Sequence, residues 1–157
     1  MADTFTSFSK VYNSFLSKIT DDMYMELSEE ETLLLQEELL ESALPYFEFP
    51  RKNIFNYDKE NQTFNVELSN EEVNIIATYM IVEWFGRQLA SVEMTRMKYS
   101  GADFKFTSQA NHMSKLLVLK KDYERVGFHL QRLYKRRRED NKGNIRSTME
   151  DIMKPIG

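Results

Sequence analysis

The sequence predicts a mainly α fold: a helical bundle of about four helices with a protruding loop or small β-hairpin and an extended C-terminal arm. Three observations lead there. Apolar residues recur at three- and four-residue steps over long segments. Two Ser-x-x-Glu capping boxes, at Ser28 and Ser69, mark helix starts. Period-two alternation is confined to a short stretch at Phe64, Val66 and Leu68. At 157 residues the chain suits one domain with one core, divided into a helical domain over 1–138, with an aromatic loop or hairpin at 45–68, and an arm over 139–157.

The first stripe lies in residues 4–19, where Phe5, Phe8, Val11, Tyr12, Phe15, Leu16 and Ile19 fall on one face of a helix. Asp21 and Asp22 interrupt it, and Met23, Tyr24 and Met25 form a short apolar patch in the connection. In the next helix Ser28 accepts from the N–H of Glu31 while Glu31 reaches back to the N–H of Ser28. The acids Glu29, Glu30 and Glu31 also suit the positive end of the helix dipole. This helix runs to about Ala43, because Pro45 disfavours helical geometry in Leu44. Its apolar positions are Leu33, Leu34, Leu35, Leu39, Leu40 and Ala43.

The segment from Pro45 to Pro50 is expected to be irregular or extended, with a proline at each end. Residues 51–68 read as a loop with weak strand character, and Asp58-Lys59-Glu60-Asn61 supplies turn chemistry before the alternating stretch. Ser69 and Glu72 repeat the capping device, with Leu68 and Val73 at the staple positions. The helix that follows is apolar nearly all round from Val73 to Phe85, so it is expected to be surrounded by protein, its own or that of other subunits. Glu83 lies in this segment, and Arg87 at i+4 is its expected partner. The helix becomes amphipathic after Gly86, with Leu89, Val92 and Met97, and ends before Ser100-Gly101.

Residues 100–107 form a loop carrying Phe104 and Phe106. Thr107 or Ser108 caps the last helix, whose stripe is Met113, Leu116, Leu117, Tyr123, Val126, Leu130, Leu133 and Tyr134. It ends in Lys135-Arg136-Arg137-Arg138, cations that suit a helix C-terminus. The remaining residues are polar, with Ile145, Met149, Ile152, Met153 and Ile156 as sparse apolar members. They read as an arm that is disordered alone and ordered by a partner.

Charge is unevenly spread. Residues 1–60 carry a net −8, residues 61–100 a net −2 and residues 101–157 a net +6. An acidic front and a basic back allow head-to-tail attraction between copies, or different partners at the two ends. A solvated surface of uneven composition gives the same numbers. There is no Cys, which excludes disulfides, zinc-thiolate sites and a thiol nucleophile. No run of eighteen apolar residues offers a membrane span, and the first residues lack the pattern of a signal peptide. Synthesis in a cytoplasm is therefore expected.

Chemistry is sparse. His112 and His129 are about 4.7 helical turns apart and share no ligand face, so no metal site is expected. Capping accounts for both acidic clusters. No Gly-rich phosphate loop and no GxSxG elbow occurs. Neither an enzyme nor a cofactor is expected. The run Lys135 to Arg138 has three readings: contact with nucleic-acid phosphates, contact with an acidic protein surface, or a solvated helix end.

Several segments together resemble the head-to-tail connectors, or neck adaptors, of tailed phages. They are Glu30-Glu31-Thr32-Leu33-Leu34-Leu35 leading to Leu44-Pro45-Tyr46-Phe47-Glu48-Phe49-Pro50-Arg51, and Phe64-Asn65-Val66-Glu67-Leu68-Ser69-Asn70-Glu71-Glu72 entering the apolar helix. Val82-Glu83-Trp84 and Asp103-Phe104-Lys105-Phe106-Thr107-Ser108-Gln109-Ala110 complete the set. The resemblance spans roughly residues 28–138. It implies a structural virion protein at the head–tail interface, made in the host cytoplasm, that forms a homo-oligomeric ring of about twelve copies. The implied partners are the portal protein, the next neck or tail-completion protein, and packaged double-stranded DNA passing through the channel; no membrane is involved. The arm implied to dock on the portal carries Arg136, Arg137, Arg138, Ile145, Met149, Ile152 and Met153. Subunit contacts are assigned to Tyr46, Phe47, Phe49, Phe55 and Tyr57. The N-terminal stripe at 4–19 is extra to the simplest connector pattern. The alternative is a small cytoplasmic helical regulatory or interaction module with a basic, nucleic-acid-facing C-terminal segment.

Overall fold

In a computed structural model, residues 5–19, 27–98 and 106–153 are described. The chain forms α1 (Phe8–Lys18), α2 (Glu29–Ala43), α3 (Asn70–Lys98) and α4 (Phe106–Arg136), with a short α5 (Thr148–Ile152) near the C-terminus. The strands are β1 (Thr6–Ser7), β2 (Tyr57–Asp58), β3 (Thr63–Phe64), β4 (Arg137–Glu139) and β5 (Ile145–Ser147). The mainly helical bundle with a small hairpin is thus the observed fold. The patch Met23-Tyr24-Met25, the connection carrying Phe104 and the residue Ile156 lie outside the described residues.

Both capping boxes form as expected. The Ser28 Oγ accepts from Glu31 N at 3.2 Å and Glu31 Oε2 accepts from Ser28 N at 2.9 Å. The Ser69 Oγ accepts from Glu72 N at 3.2 Å and Glu72 Oε1 accepts from Ser69 N at 2.9 Å. Together they fix where α2 and α3 start. α3 is the buried centre: Ile75, Ile76, Ala77, Met80, Ile81 and Val82 are all buried. α1, α2 and α4 pack against it, so the neighbours that cover it belong to the same chain.

The N-terminal helix is shorter than its stripe. Ser7 caps α1, its hydroxyl accepting from Ser9 N. Thr6 and Ser7 instead pair antiparallel with Phe64 and Thr63. The Thr6 hydroxyl accepts from Leu68 N at 2.8 Å. Phe8, Val11, Tyr12 and Phe15 are buried, whereas Phe5 and Leu16 are exposed. The N-terminal segment thus supplies the third strand of the sheet and a face for α3.

The loop after α2 holds a hairpin. β3 pairs with β2 on its other edge, giving the antiparallel order β1-β3-β2. Asp58 Oδ1 accepts from the N–H groups of Glu60 and Asn61, an Asx turn that reverses the chain. Gln62 takes a left-handed conformation, φ +54°. Its side chain bonds Tyr12, Glu37 and the Lys59 carbonyl, and its own carbonyl accepts from Phe8 N. Those bonds hold a conformation that L-residues disfavour. The strand ends at Phe64; the alternation of Val66 and Leu68 does not extend it. Pro45 lies in a 3₁₀ turn over Leu44–Tyr46 rather than in an extended segment, because proline suits the first positions of such a turn.

α4 begins at Phe106, ahead of the expected caps Thr107 and Ser108, and ends at Arg136. Most of the expected stripe packs inward, with Tyr123 and Leu130 against the core, but its edges differ. Leu116, Gly127, Gln131 and Tyr134 are buried, and Leu117 and Val126 are exposed. The chain beyond is a second hairpin. Arg137, Arg138 and Glu139 of β4 pair with Ser147, Arg146 and Ile145 of β5, and α5 follows. Residues 139–153, expected to belong to an arm disordered alone, thus take part in a β-hairpin and a short helix; residues 154–157 lie outside the described residues. The hairpin turn is stabilised locally: Asp140 accepts from the N–H groups of Lys142 and Asn144 and from Arg146 Nε, with Gly143 at φ +80°.

Candidate assembly surfaces

The aromatic loop divides into residues that complete the subunit's own core and residues that face outward. Phe47 is 3% exposed, its ring edge-on to Tyr134 at 5.2 Å. Tyr57 is half-buried, packs edge-on against Phe8 and Phe64, and donates to Glu41 Oε1. Both complete the subunit's own packing: the 3₁₀ turn points Phe47 inward and the hairpin places Tyr57 over α1. Tyr46, Phe49 and Phe55 are exposed. Tyr46 lies parallel to Tyr79 with centroids 5.3 Å apart. A hydrogen bond to Glu83 raises the Tyr46 pKa first, with burial second. Phe49 is 65% exposed, with Lys135 Nζ 4.2 Å above its ring.

A polar lattice that the sequence reading missed fixes this loop to α4. Gln131, buried on α4, donates through Nε2 to the Tyr46 carbonyl at 2.8 Å and the Tyr79 hydroxyl at 2.7 Å. Its Oε1 accepts from Glu48 N at 2.8 Å. Beside it the Arg51 guanidinium sits 4.0 Å over the Tyr134 ring and donates to the carbonyls of Tyr134 and Arg137. The Tyr134 hydroxyl accepts from Arg51 N at 2.9 Å and donates to Glu72 Oε2 at 3.2 Å. Burial pushes the Tyr134 phenol up to about 12. The one available signal was a glutamine inside an otherwise apolar stripe, since buried polar side chains require partners.

The expected Glu83–Arg87 pair does not form as such. Arg87 meets Glu38 of α2 at 2.7 Å, across the helix packing, and Glu83 instead acts on the Tyr46 phenol, raising its pKa. Lys59 joins Glu37 and Glu41 at 3.0 and 2.9 Å, tying the first hairpin to α2. The hydrogen bond from Lys59 holds the Glu37 carboxyl below the usual range.

The residues assigned to the arm are brought to one end of α4 in different settings. Arg136 is exposed in the last turn, and Arg137 in β4 reaches Glu71 at 2.7 Å. Arg138 faces Arg146 across the β4–β5 ladder. Ile145 and Met149 are exposed, Met153 is 77% exposed, and Ile152 ends α5. The hairpin therefore presents apolar side chains outward without covering them itself.

Two further surfaces stand out, neither of them assigned from the sequence. On α2, Leu34 is 58% exposed, and its four helix-surface neighbours at i−4, i−3, i+3 and i+4 are Glu30, Glu31, Glu37 and Glu38. On α4, Phe128 is 61% exposed in a shallow groove with Lys121, Glu124, Arg125, His129 and Arg132. Lys115, Val118 and Leu119 line a second, nearly apolar hollow on the same helix. His129 Nδ1 lies 3.0 Å from the Arg132 guanidinium, while His112 is exposed elsewhere on α4. Among the described residues no group of three or more His, Asp or Glu side chains is arranged to hold a metal ion. Nor is any helix among them long and apolar enough to cross a membrane. No protein-family model, curated protein or solved structure matches the chain.

Proposed function

We propose that the chain is a structural subunit of a tailed-phage neck, a head-to-tail connector whose copies form a ring between portal and tail around the DNA channel. The observation that supports this best is the apolar surface left over once the core is complete. Leu33 and Leu34 on α2, Val118 and Phe128 on α4, and Phe49 and Phe55 on the loop are all more than half exposed. α3 is already covered by the chain's own helices, so folding has no use for these side chains, and surfaces of this kind mark sites of association. The work of such a subunit is mechanical. Interface burial holds the ring, the β4–β5 hairpin with α5 docks on the portal, the opposite side receives the next neck or tail-completion protein, and DNA passes without being gripped. The virion neck is its place, after synthesis in the host cytoplasm.

Co-sedimentation with portal particles tests the reading. The full chain is expected to travel with the particles. A chain lacking residues 139–157 is expected to keep its helical content and stay behind, because Gln131, Tyr134 and Arg51 hold the body together without that segment. A full-length chain that ignores portals overturns the connector reading; a truncated chain that still binds overturns the role of the arm.

A basic, nucleic-acid-facing interaction module is the second reading, and the outward cations Lys121, Arg125, Arg132 and Arg136 of α4 favour it. It requires a DNA affinity that falls steeply with salt and collapses when Lys135, Arg136, Arg137 and Arg138 are replaced by Ala.

A further inference from the structure

We propose that the outward face of α2 in one copy docks onto the outward face of α4 in a second copy of this chain. The proposal rests on the ring reading above and supplies the surfaces that would make it. The two faces are complementary in charge and alike in design. Leu34 stands exposed among Glu30, Glu31, Glu37 and Glu38. Phe128 stands exposed beside Lys121, Arg125, His129 and Arg132. Each is an apolar centre with a charged surround, the arrangement in which burial supplies affinity and the rim supplies orientation.

The local ion pairs leave both surpluses in place. Lys59 and Arg87 reach Glu37 and Glu38 from neighbouring elements, so the acidic excess of α2 concentrates at its first turn, on Glu29, Glu30 and Glu31. On α4, Asp122 lies 3.6 Å from Arg125 and Glu124 binds Lys120, while Lys121, Arg132 and Arg136 extend the positive face toward the C-terminal end. Duplex DNA would use these cations, but it has no use for Phe128 among them and none for the Leu34 face. A second copy uses all of it. The two faces are different patches, so the contact is heterologous, and repetition of a heterologous contact closes into a ring when the rotation allows.

Sedimentation velocity of the full chain tests this with two exposed-surface variants, Glu30→Lys/Leu34→Lys and Arg125→Glu/Arg132→Glu. The wild type is expected to associate with rising concentration, and more weakly in high salt. Each variant alone is expected to associate at least about tenfold more weakly, with unchanged helical circular dichroism. Mixing the two is expected to restore association, because the intact α4 face of the first meets the intact α2 face of the second. Association that both variants retain places the contact elsewhere and overturns the proposal. So does a mixture that stays monomeric. A wild-type chain that remains monomeric at all concentrations also overturns it, while leaving the portal co-sedimentation to decide the connector reading separately. Loss of DNA affinity in Arg125→Glu/Arg132→Glu without any change in association assigns the α4 face to nucleic acid instead.

Discussion

Replacing Gln131 by Leu should unfasten the aromatic loop from α4. The wild-type amide donates to the Tyr46 carbonyl and the Tyr79 hydroxyl and accepts from Glu48 N, all at 2.7–2.8 Å. Each such bond contributes about 1 kcal/mol net, and a buried hydroxyl left without its partner costs about 1–3 kcal/mol. Leucine recovers part of this through apolar burial, so a loss of about 2–3 kcal/mol is expected. Urea unfolding followed through the buried Trp84, the only tryptophan of the chain, reads it directly. Tyr79→Phe should cost about 1 kcal/mol, and the double variant should cost less than the two single losses together, by about 1 kcal/mol, because one interaction is lost in both. A Gln131→Leu protein within about 0.5 kcal/mol of wild type, or losses that add, would refute this account of the lattice.

Two glycines should respond in opposite directions. A Cβ at Gly127 would stand 2.8 Å from the Tyr79 ring, which Gln131 holds in place; Gly127→Ala should therefore lower stability by about 1–3 kcal/mol despite its better helix propensity. At Gly86 the nearest atom is Lys120 Cε at 3.6 Å, so Gly86→Ala should raise stability by about 0.5–1 kcal/mol in the same urea titration. Ser69→Ala removes a hydroxyl cap from α3 and should cost about 1 kcal/mol by thermal melting. Two titrations set pH limits. Tyr134 is raised to about 12, first by burial, so the stability that its protonated phenol contributes is whole below about 10 and is lost as pH rises toward 12; Tyr134→Phe should flatten that alkaline limb. Asp140 is held well below the usual carboxylate range, first by Arg146, so its contribution to the second hairpin is present above about 4 and is lost as pH falls further. Faster amide exchange at Asn144 in acid, absent in Asp140→Asn, would show it.

Much of the fold was legible because its signals are local. A capping box involves residues three apart, and both boxes form with the expected bonds. An all-round apolar helix must be covered, and α3 is. The misreadings have a common origin in long-range pairing. Thr6 and Ser7 look like the first turn of a helix until β3, more than fifty residues later, claims them. Arg137 and Arg138 look like a helix end until β5 turns back to pair with them. For the assembly surfaces, composition identified aromatic residues in the loop but not their direction. Phe47 and Phe49 are two residues apart in a segment without regular periodicity; one packs on Tyr134 and the other faces outward. Leu34 reads as a core leucine in sequence. Only the position of α3 shows that Leu39, Leu40 and Ala43 take the buried side and leave Leu34 among glutamates.

Electron microscopy of negatively stained protein, alone and mixed with portal particles, tests the central claim most directly. The connector account predicts closed rings of the free chain, or a ring of added density beneath the portal. A compact monomer that adds nothing to portals would contradict it.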